Sequence, residues 1–424
     1  MSGCVGNRDR FRPAANGFLE RLWRRLESSA LKPRRLSICL RGIFRCLPTS
    51  SRCTVSALRT RWPDGRNSPP SKASASTMQG TLYLLDGAGT GGGRRVVVVD
   101  ASGRHVRTMG RPGQGPGEFQ RATQLVVWED GHVLVEDRRA GYHLFGPDGE
   151  FERMVREIGG GAGFAVARRP VSRPNLRPER TSVLTLLGRS QRTIQRVDMS
   201  SEEVRDRVLV EAWTPVEREA PRGSSIEETW IGEEWGFEPD LLFDALPSGG
   251  VAFSDSSAWA IRLTDASGAV SRILRRPIRP LAVTARMERI ELERRLEAES
   301  NRTITGSAPP PEIVQWFVDN IRPQQREAIE NMRFFPEVPV IVTVRTTWGG
   351  ALWVQRSPGP GSAEPGPIDV IAPNGRYVGT LEPGAAALPN MPDAFGPDGL
   401  VALIETDEFD VPVITVRRVP IAIR

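Results

Sequence analysis

The residues best placed to do chemistry begin with Arg111-Pro-Gly-Gln-Gly-Pro-Gly-Glu-Phe119. Gly113, Gly115 and Gly117 alternate with Gln114 and Pro116, so this backbone reaches conformations closed to other residues. Such a loop can turn several N–H groups toward an anion, with Arg111 beside it. The same pattern also makes a connector, in which Glu118 accepts the loop's own N–H groups and Phe119 packs between elements; this structural reading is preferred. No GK[ST] follows, so it is not a nucleotide phosphate loop. Asp137 and Asp255 end equivalent runs, VLVED and VAFSD. A ring of such carboxylates would suit calcium, which takes oxygen ligands, whereas an aspartate at a strand end more often caps a turn. His105, His132 and His143 are the only histidines, and no cysteine follows Cys53, so no zinc complement forms without carboxylates and no metal ligand is assigned. No GxSxG elbow occurs, and no catalytic residue is assigned. Most tryptophans sit beside strand-like runs and read as packing. In WIGEEWGF, 230–237, two tryptophans flank two glutamates in an expected loop. Trp230 and Trp235 therefore join Arg111, Gln114, Glu118, Asp137 and Asp255 as binding candidates.

The elements that must position these residues are short β-branched runs. TLYLLD, RRVVVVD, LVVWED, HVLVED, GVAFSD, VPVIVTV, ALWVQ, LVALIE and PVITVRR are separated by turn chemistry. DASG at 100–103, GPDG at 146–149, DASG at 265–268 and APNG at 372–375 occupy matching places. A glycine ending such a turn supplies the positive φ that a tight hairpin needs. DMSS at 198–201 is a degenerate copy without the glycine. Units such as 130–155 and 249–274 align as strand, loop, strand, turn, strand. A repeat of roughly 40–50 residues with several strands per unit is the signature of a propeller blade. Six units follow: 79–117, 118–158, 159–222, 223–279, 334–387 and 388–424. Between the fourth and fifth, residues 281–333 read as helical, with LAVTARMERIELERRLEAES strongest, a short segment at 312–321 and a third helix begun by Pro323.

Charge divides the chain differently. Residues 1–78 carry 16 Lys+Arg and 4 Asp+Glu, a net of +12, which leaves −6 for residues 79–424. The body therefore offers no net attraction to nucleic acid, and its arginines are interspersed with Glu and Asp. All four cysteines, Cys4, Cys39, Cys46 and Cys53, lie in the basic leader at spacings that match no zinc signature. Phe18, Leu22 and Leu26 make one apolar stripe there. It fits a membrane-surface helix or an accidental pattern in a poorly ordered extension, and the second is preferred. No run approaches the roughly 18 apolar residues of a membrane span, and no secretory signal is convincing. Patterned sequence starts right after Met78, so residues 1–78 are expected to be a dispensable leader, an overlong reading of the gene's start, and 79–424 the propeller.

The order RHVRTMG, RPGQGPGEF, a strand, DGH and VLVEDR resembles bacterial six-bladed β-propeller proteins related to the NHL-repeat group. FFPEVPVIVTVRTTWGGALWV resembles the lead-in to the fifth blade of that family. The resemblance covers most of 79–424 and none of 1–77. It implies export or attachment to the cell envelope. The expected fold is all-β, a six-bladed propeller with a helical insertion between blades four and five. The expected role is non-catalytic binding of a protein, peptide or small ligand at one face or the channel mouth, without a cofactor. The alternative left open is a metal-dependent propeller enzyme, a lactonase-like hydrolase or a lyase, in which a cation polarises a carbonyl and activates water.

Overall fold

The computed structural model describes residues 38–39, 58–61, 72–74, 80–86, 95–137, 140–155, 177–179, 182–187, 192–198, 205–215, 235–301, 311–385, 388, 390–406 and 412–423. All of them fall within one compact unit, Ile38–Arg424. Five four-stranded antiparallel sheets follow in chain order. The first is Lys72–Ser74, Leu82–Asp86, Arg95–Val99 and His105–Met109. The second is Ala122–Val127, Val133–Asp137, Gly141–Phe145 and Phe151–Val155. The third is Arg177–Glu179, Ser182–Leu187, Thr193–Asp198 and Arg205–Glu211. The fourth is Leu242–Ala245, Val251–Ser254, Ala260–Thr264 and Val270–Arg275. The fifth is Ile341–Thr346, Leu352–Arg356, Ile368–Ile371 and Tyr377–Leu381. A last sheet sets Ala394–Phe395, Leu400–Thr406 and Pro412–Arg418 beside Leu58–Arg61 and Ile38–Cys39.

The arrangement is a β-propeller. The first strands of the last, first, second, third, fourth and fifth sheets touch one another in that succession. An apolar cluster fills each seam between successive sheets. One joins first to second through Leu85, Phe119 and Val135, and another joins last to first through Leu84, Ala402 and Ile414. Second strands such as Leu82–Asp86 and Val251–Ser254 are buried on both faces, which is why LYLL and VAF are unbroken apolar runs. Fourth strands such as Val270–Arg275 face solvent along most of their length.

The four matching turns all join third to fourth strands. Gly103, Gly149, Gly268 and Gly375 have positive φ, and each amide closes the turn on the residue three before it. A β-bulge follows in every case on the fourth strand, with Val106, Glu152, Ser271 and Val378 as the extra residues. Asp100 and Asp265, first in their turns, accept the amides two and four residues on. Asp148 and Asn374, third in theirs, accept the amide two residues on. Most of DMSS lies outside the described residues. Antiparallel order puts these turns and the first-to-second-strand turns on one face of the propeller. Second-to-third loops and sheet-to-sheet connectors lie on the other.

Two described strands lie ahead of the boundary expected at residue 79. Lys72–Ser74 pairs with Leu82–Asp86 as the innermost strand of the first sheet, and Leu58–Arg61 pairs with Pro412–Arg418 in the last. Neither run carries a local signal that separates it from its basic, Ser/Pro-rich surroundings. Other residues of 1–77, including the Phe18–Leu26 stripe, lie outside the described residues.

The insertion between the fourth and fifth sheets is helical as expected. It stands on a two-rung antiparallel stem, Leu281–Ala282 against Glu337–Val338. Helix α1 (Ala285–Ser300) is capped by the Thr284 hydroxyl, which accepts the Met287 amide. Its ion pairs from Glu291 to Arg294 and Arg295 take the place of a strong apolar stripe. Helix α2 (Pro311–Trp316) runs through a π-helical turn, Phe317–Ile321, straight into α3 (Arg322–Glu330). Pro323 therefore lies inside a continuous helical run. Proline cannot donate to the helical ladder and crowds the preceding turn, and here it follows directly on the wider turn. Among the described residues no helix is long and apolar enough to cross a membrane.

Candidate functional site

Most sequence candidates lie on the connector face, and each is engaged locally. Glu118 accepts from Arg111 Nε at 2.7 Å and from the Gly115 amide at 2.8 Å. The amide and then the guanidinium hold its carboxyl below the usual range. A Cβ on Gly113 would collide with that carboxylate. The loop thus folds around its own glutamate, and Gln114 projects from it exposed. Phe119 is wholly buried in the seam between the first two sheets.

Asp137 accepts the Gln120 and Arg121 amides at 2.5 and 2.9 Å, so it fastens the connector that enters its own sheet. Asp255 does the equivalent work two sheets on. It accepts the Trp213 amide at 3.1 Å and pairs with Arg262. Buried Arg192 completes that junction by donating to the carbonyls of Trp213, Pro239 and Asp255. Arg192 carries no sequence signal, because its partners lie 21 to 63 residues away. Among the described residues no group of three or more His, Cys, Asp or Glu converges as a cation site requires. Trp235 departs from the exposed loop expected of it. It opens a two-residue strand paired in parallel with Arg333–Phe334 of the insertion, is half-buried, and lies beneath the Arg333 guanidinium at 5.6 Å. Trp230 lies outside the described residues.

Among the described residues an open concavity lies elsewhere, on the turn face between the fifth and last sheets. Its volume is about 230 Å³, and it is lined by Thr347, Trp348, Phe395, Asp398, Val401 and Val419, with Gly349, Gly396 and Gly399 between them. Two first-to-second-strand turns build it. In Thr347–Gly350 and Gly396–Gly399 the closing hydrogen bonds are Thr347 N to Ala351 O at 2.8 Å and Gly396 N to Leu400 O at 2.7 Å. Trp348 is fixed by its indole N–H, which donates to the Phe395 carbonyl at 2.8 Å. Phe395 is fixed from behind by the edge of Trp353, 5.3 Å between centroids, and by Arg345 at 5.5 Å. Asp398 sits on the rim with φ +53, exposed, its carbonyl held by Arg418 at 3.0 Å.

An ion-pair relay backs the cleft. Arg345 stands 3.4 Å from the Asp244 carboxylate on the fourth sheet and donates to the Asp393 carbonyl at 3.4 Å. Asp244 also accepts the Thr346 amide at 2.7 Å. Asp393 is accessible to solvent yet surrounded by protein. That enclosure raises its pKa above the usual carboxylate value, against the pull of the Ile404 amide and Arg345. By sequence, Trp348 reads as one of the packing tryptophans. The signal that marks it out is positional: the second residue of the other described turns of this kind is Glu129, Pro247 or Pro397, and among these four it is aromatic only at Trp348.

No protein-family model and no curated protein matches this chain. Solved structures with a similar course of chain include the Cps50 (Swd1) β-propeller domain of Myceliophteria thermophila, 12% identical, covering 83% of this chain and 97% of that one at a TM-score of 0.37. A DUF4221-family protein of Bacteroides vulgatus is 12% identical over 86% of this chain and 98% of that one, with a TM-score of 0.46. The calcium-binding protein regucalcin of Agrobacterium tumefaciens is 12% identical over 84% and 94%, with a TM-score of 0.36.

Proposed function

We propose that this protein is a non-catalytic binding propeller whose turn-face cleft receives a basic side chain of a protein or peptide partner. The observation that carries the reading is the cleft between Trp348 and Phe395, whose single ionisable lining residue is Asp398. At about 230 Å³ it is smaller than the roughly 300–1,000 Å³ of small-molecule sites, which favours one side chain over a whole ligand. Aromatic walls and a rim carboxylate match an aliphatic stem ending in a cation. In the same reading the last sheet counts as a sixth blade. Support comes from the apolar seams on both its flanks, to the fifth sheet and to the first. The relation to NHL-type propellers rests on the RPGQGPGEF connector.

The test is a titration followed through the Trp348 indole N–H resonance, using short glycine-serine peptides that carry one arginine, one norleucine or one glutamate. The arginine peptide is expected to shift that resonance and the glutamate peptide to leave it alone. Trp348→Ala, followed instead through the Gly349 and Gly396 backbone amides that line the same cleft, removes binding. Asp398→Asn weakens it about 2- to 5-fold, the worth of an exposed charge contact. Equal binding of the norleucine peptide would discard the cationic ligand, and no response to any of the three would discard the cleft.

A further inference from the structure

Among the described residues, His143 is a buried polar side chain whose two ring nitrogens are both left without a hydrogen-bond partner. It lies on the third strand of the second sheet, wholly inaccessible. Its neighbours are aromatic. The Phe119 ring meets it edge-on at 5.2 Å and Phe151 tilts over it at 6.1 Å, while Phe145 packs on both phenylalanines. Burial holds the imidazole below its usual pKa, and the field of Asp137 opposes that only in part.

We propose that the seam between the first and second sheets is an acid-sensitive latch, and that His143 is its proton sensor. A neutral imidazole is tolerated among phenylalanines. An imidazolium there has two N–H donors and no acceptor. The titratable and charged groups on the elements around it are Asp137 on the neighbouring strand, Glu152 and Arg153 on the outer strand, Arg111 and Glu118 on the connector, and Tyr83 and Arg107 on the first sheet. Asp137 already accepts the Gln120, Arg121 and Ala140 amides. Glu118 is held by Arg111 and Gly115. Protonation therefore favours a form in which the ring has left its phenylalanine neighbours for water. Phe119, its closest aromatic neighbour, is part of the connector 110–121, so that connector loosens with it. The sign follows: the open form takes up a proton near pH ~6.5 and the closed form resists it, so opening grows as pH falls. His105 and His132 cannot substitute, since His105 is exposed on Thr108 and His132 lies between Asp130 and Glu152 near the surface.

The experiment uses the full chain between pH 7.5 and 5.0. Ring resonances of the three histidines report protonation, and hydrogen exchange of 110–121 and 141–145, corrected for intrinsic rates, reports opening. The expected result is that the His143 ring stays neutral in the closed form throughout, while opening rises up to about 30-fold across that range. His143→Leu and His143→Gln should abolish the rise. The latch is overturned if His143 titrates near pH ~6.5 with the seam still protected. It is equally overturned if wild-type opening does not change with pH, or if either variant opens as wild type does. Should neither variant fold, the two wild-type readings decide the matter. The cleft is on the opposite face, so its fate under the peptide test leaves this result unaffected.

Discussion

At the residue scale, the aspartates that look most like ligands in the sequence act as fasteners. Asp137 is 1% exposed and satisfies two connector amides as well as Ala140 N. Removing the carboxylate leaves those donors without their acceptor, and each unsatisfied buried group costs on the order of 1–3 kcal/mol. Asp137→Ala is therefore expected to lower stability by about 2–4 kcal/mol, with Asp137→Asn costing less because one acceptor oxygen remains. Urea unfolding measures both. Chelator treatment should leave the wild-type midpoint where it was, because these oxygens are occupied by amides. A midpoint that rises with added calcium in wild type and not in Asp137→Asn would make the residue a cation ligand after all.

Local chemistry of this kind is legible at the element scale wherever a turn is defined by four consecutive residues. DASG, GPDG and APNG can be placed because the glycine's φ and the Asp or Asn acceptor are fixed within the turn. The turns are nonetheless unequal. A Cβ on Gly268, at φ +95, would run into the Leu209 backbone, whereas one on Gly375, at φ +83, would meet the movable end of Arg272. Both carry the left-handed penalty, about 1 kcal/mol, and only Gly268 must also displace main chain. Gly268→Ala should therefore cost at least ~1 kcal/mol more than Gly375→Ala in thermal unfolding. The insertion offers a pH readout. Burial pushes the Glu291 carboxyl up, but hydrogen bonds from Arg294 and Arg295 outweigh it and leave the pKa below the usual value. A depressed folded pKa gives stability that is complete above the unfolded value, about 4.3, and is lost as pH falls through the folded one. Helix α1 should thus loosen to hydrogen exchange only below about pH 4, well apart from the window assigned to His143, and Glu291→Gln should flatten that dependence.

At the scale of the whole molecule, the sequence stops speaking where contacts become distant. The blade repeat and the insertion are visible because each is a run of neighbouring residues. The cleft is not, because Trp348 and Phe395 are joined only by the meeting of two sheets. The closure is not, because Leu58–Arg61 pairs with Val413–Val416, at the far end of the chain. That pairing decides what a shortened protein will do. A chain starting at Met78 lacks Leu58–Arg61 and Lys72–Ser74. The third strand of the last sheet would then have an open edge, and the first sheet would have lost its innermost strand. A few ladder hydrogen bonds at about 1 kcal/mol each put the loss at roughly 3–5 kcal/mol, a large part of the roughly 5–15 kcal/mol that holds an ordinary domain together. An unpaired edge also invites association with other chains. The Met78 form is therefore expected to unfold at lower urea and to aggregate, while a chain starting at residue 37 keeps Ile38–Cys39 as well as both of these strands and behaves as full length. Size-exclusion chromatography and urea unfolding of the three lengths make the comparison. Equal midpoints and equal elution as monomers for the Met78 form would show that the propeller closes without its N-terminal strands, and would place the start of the domain at residue 79.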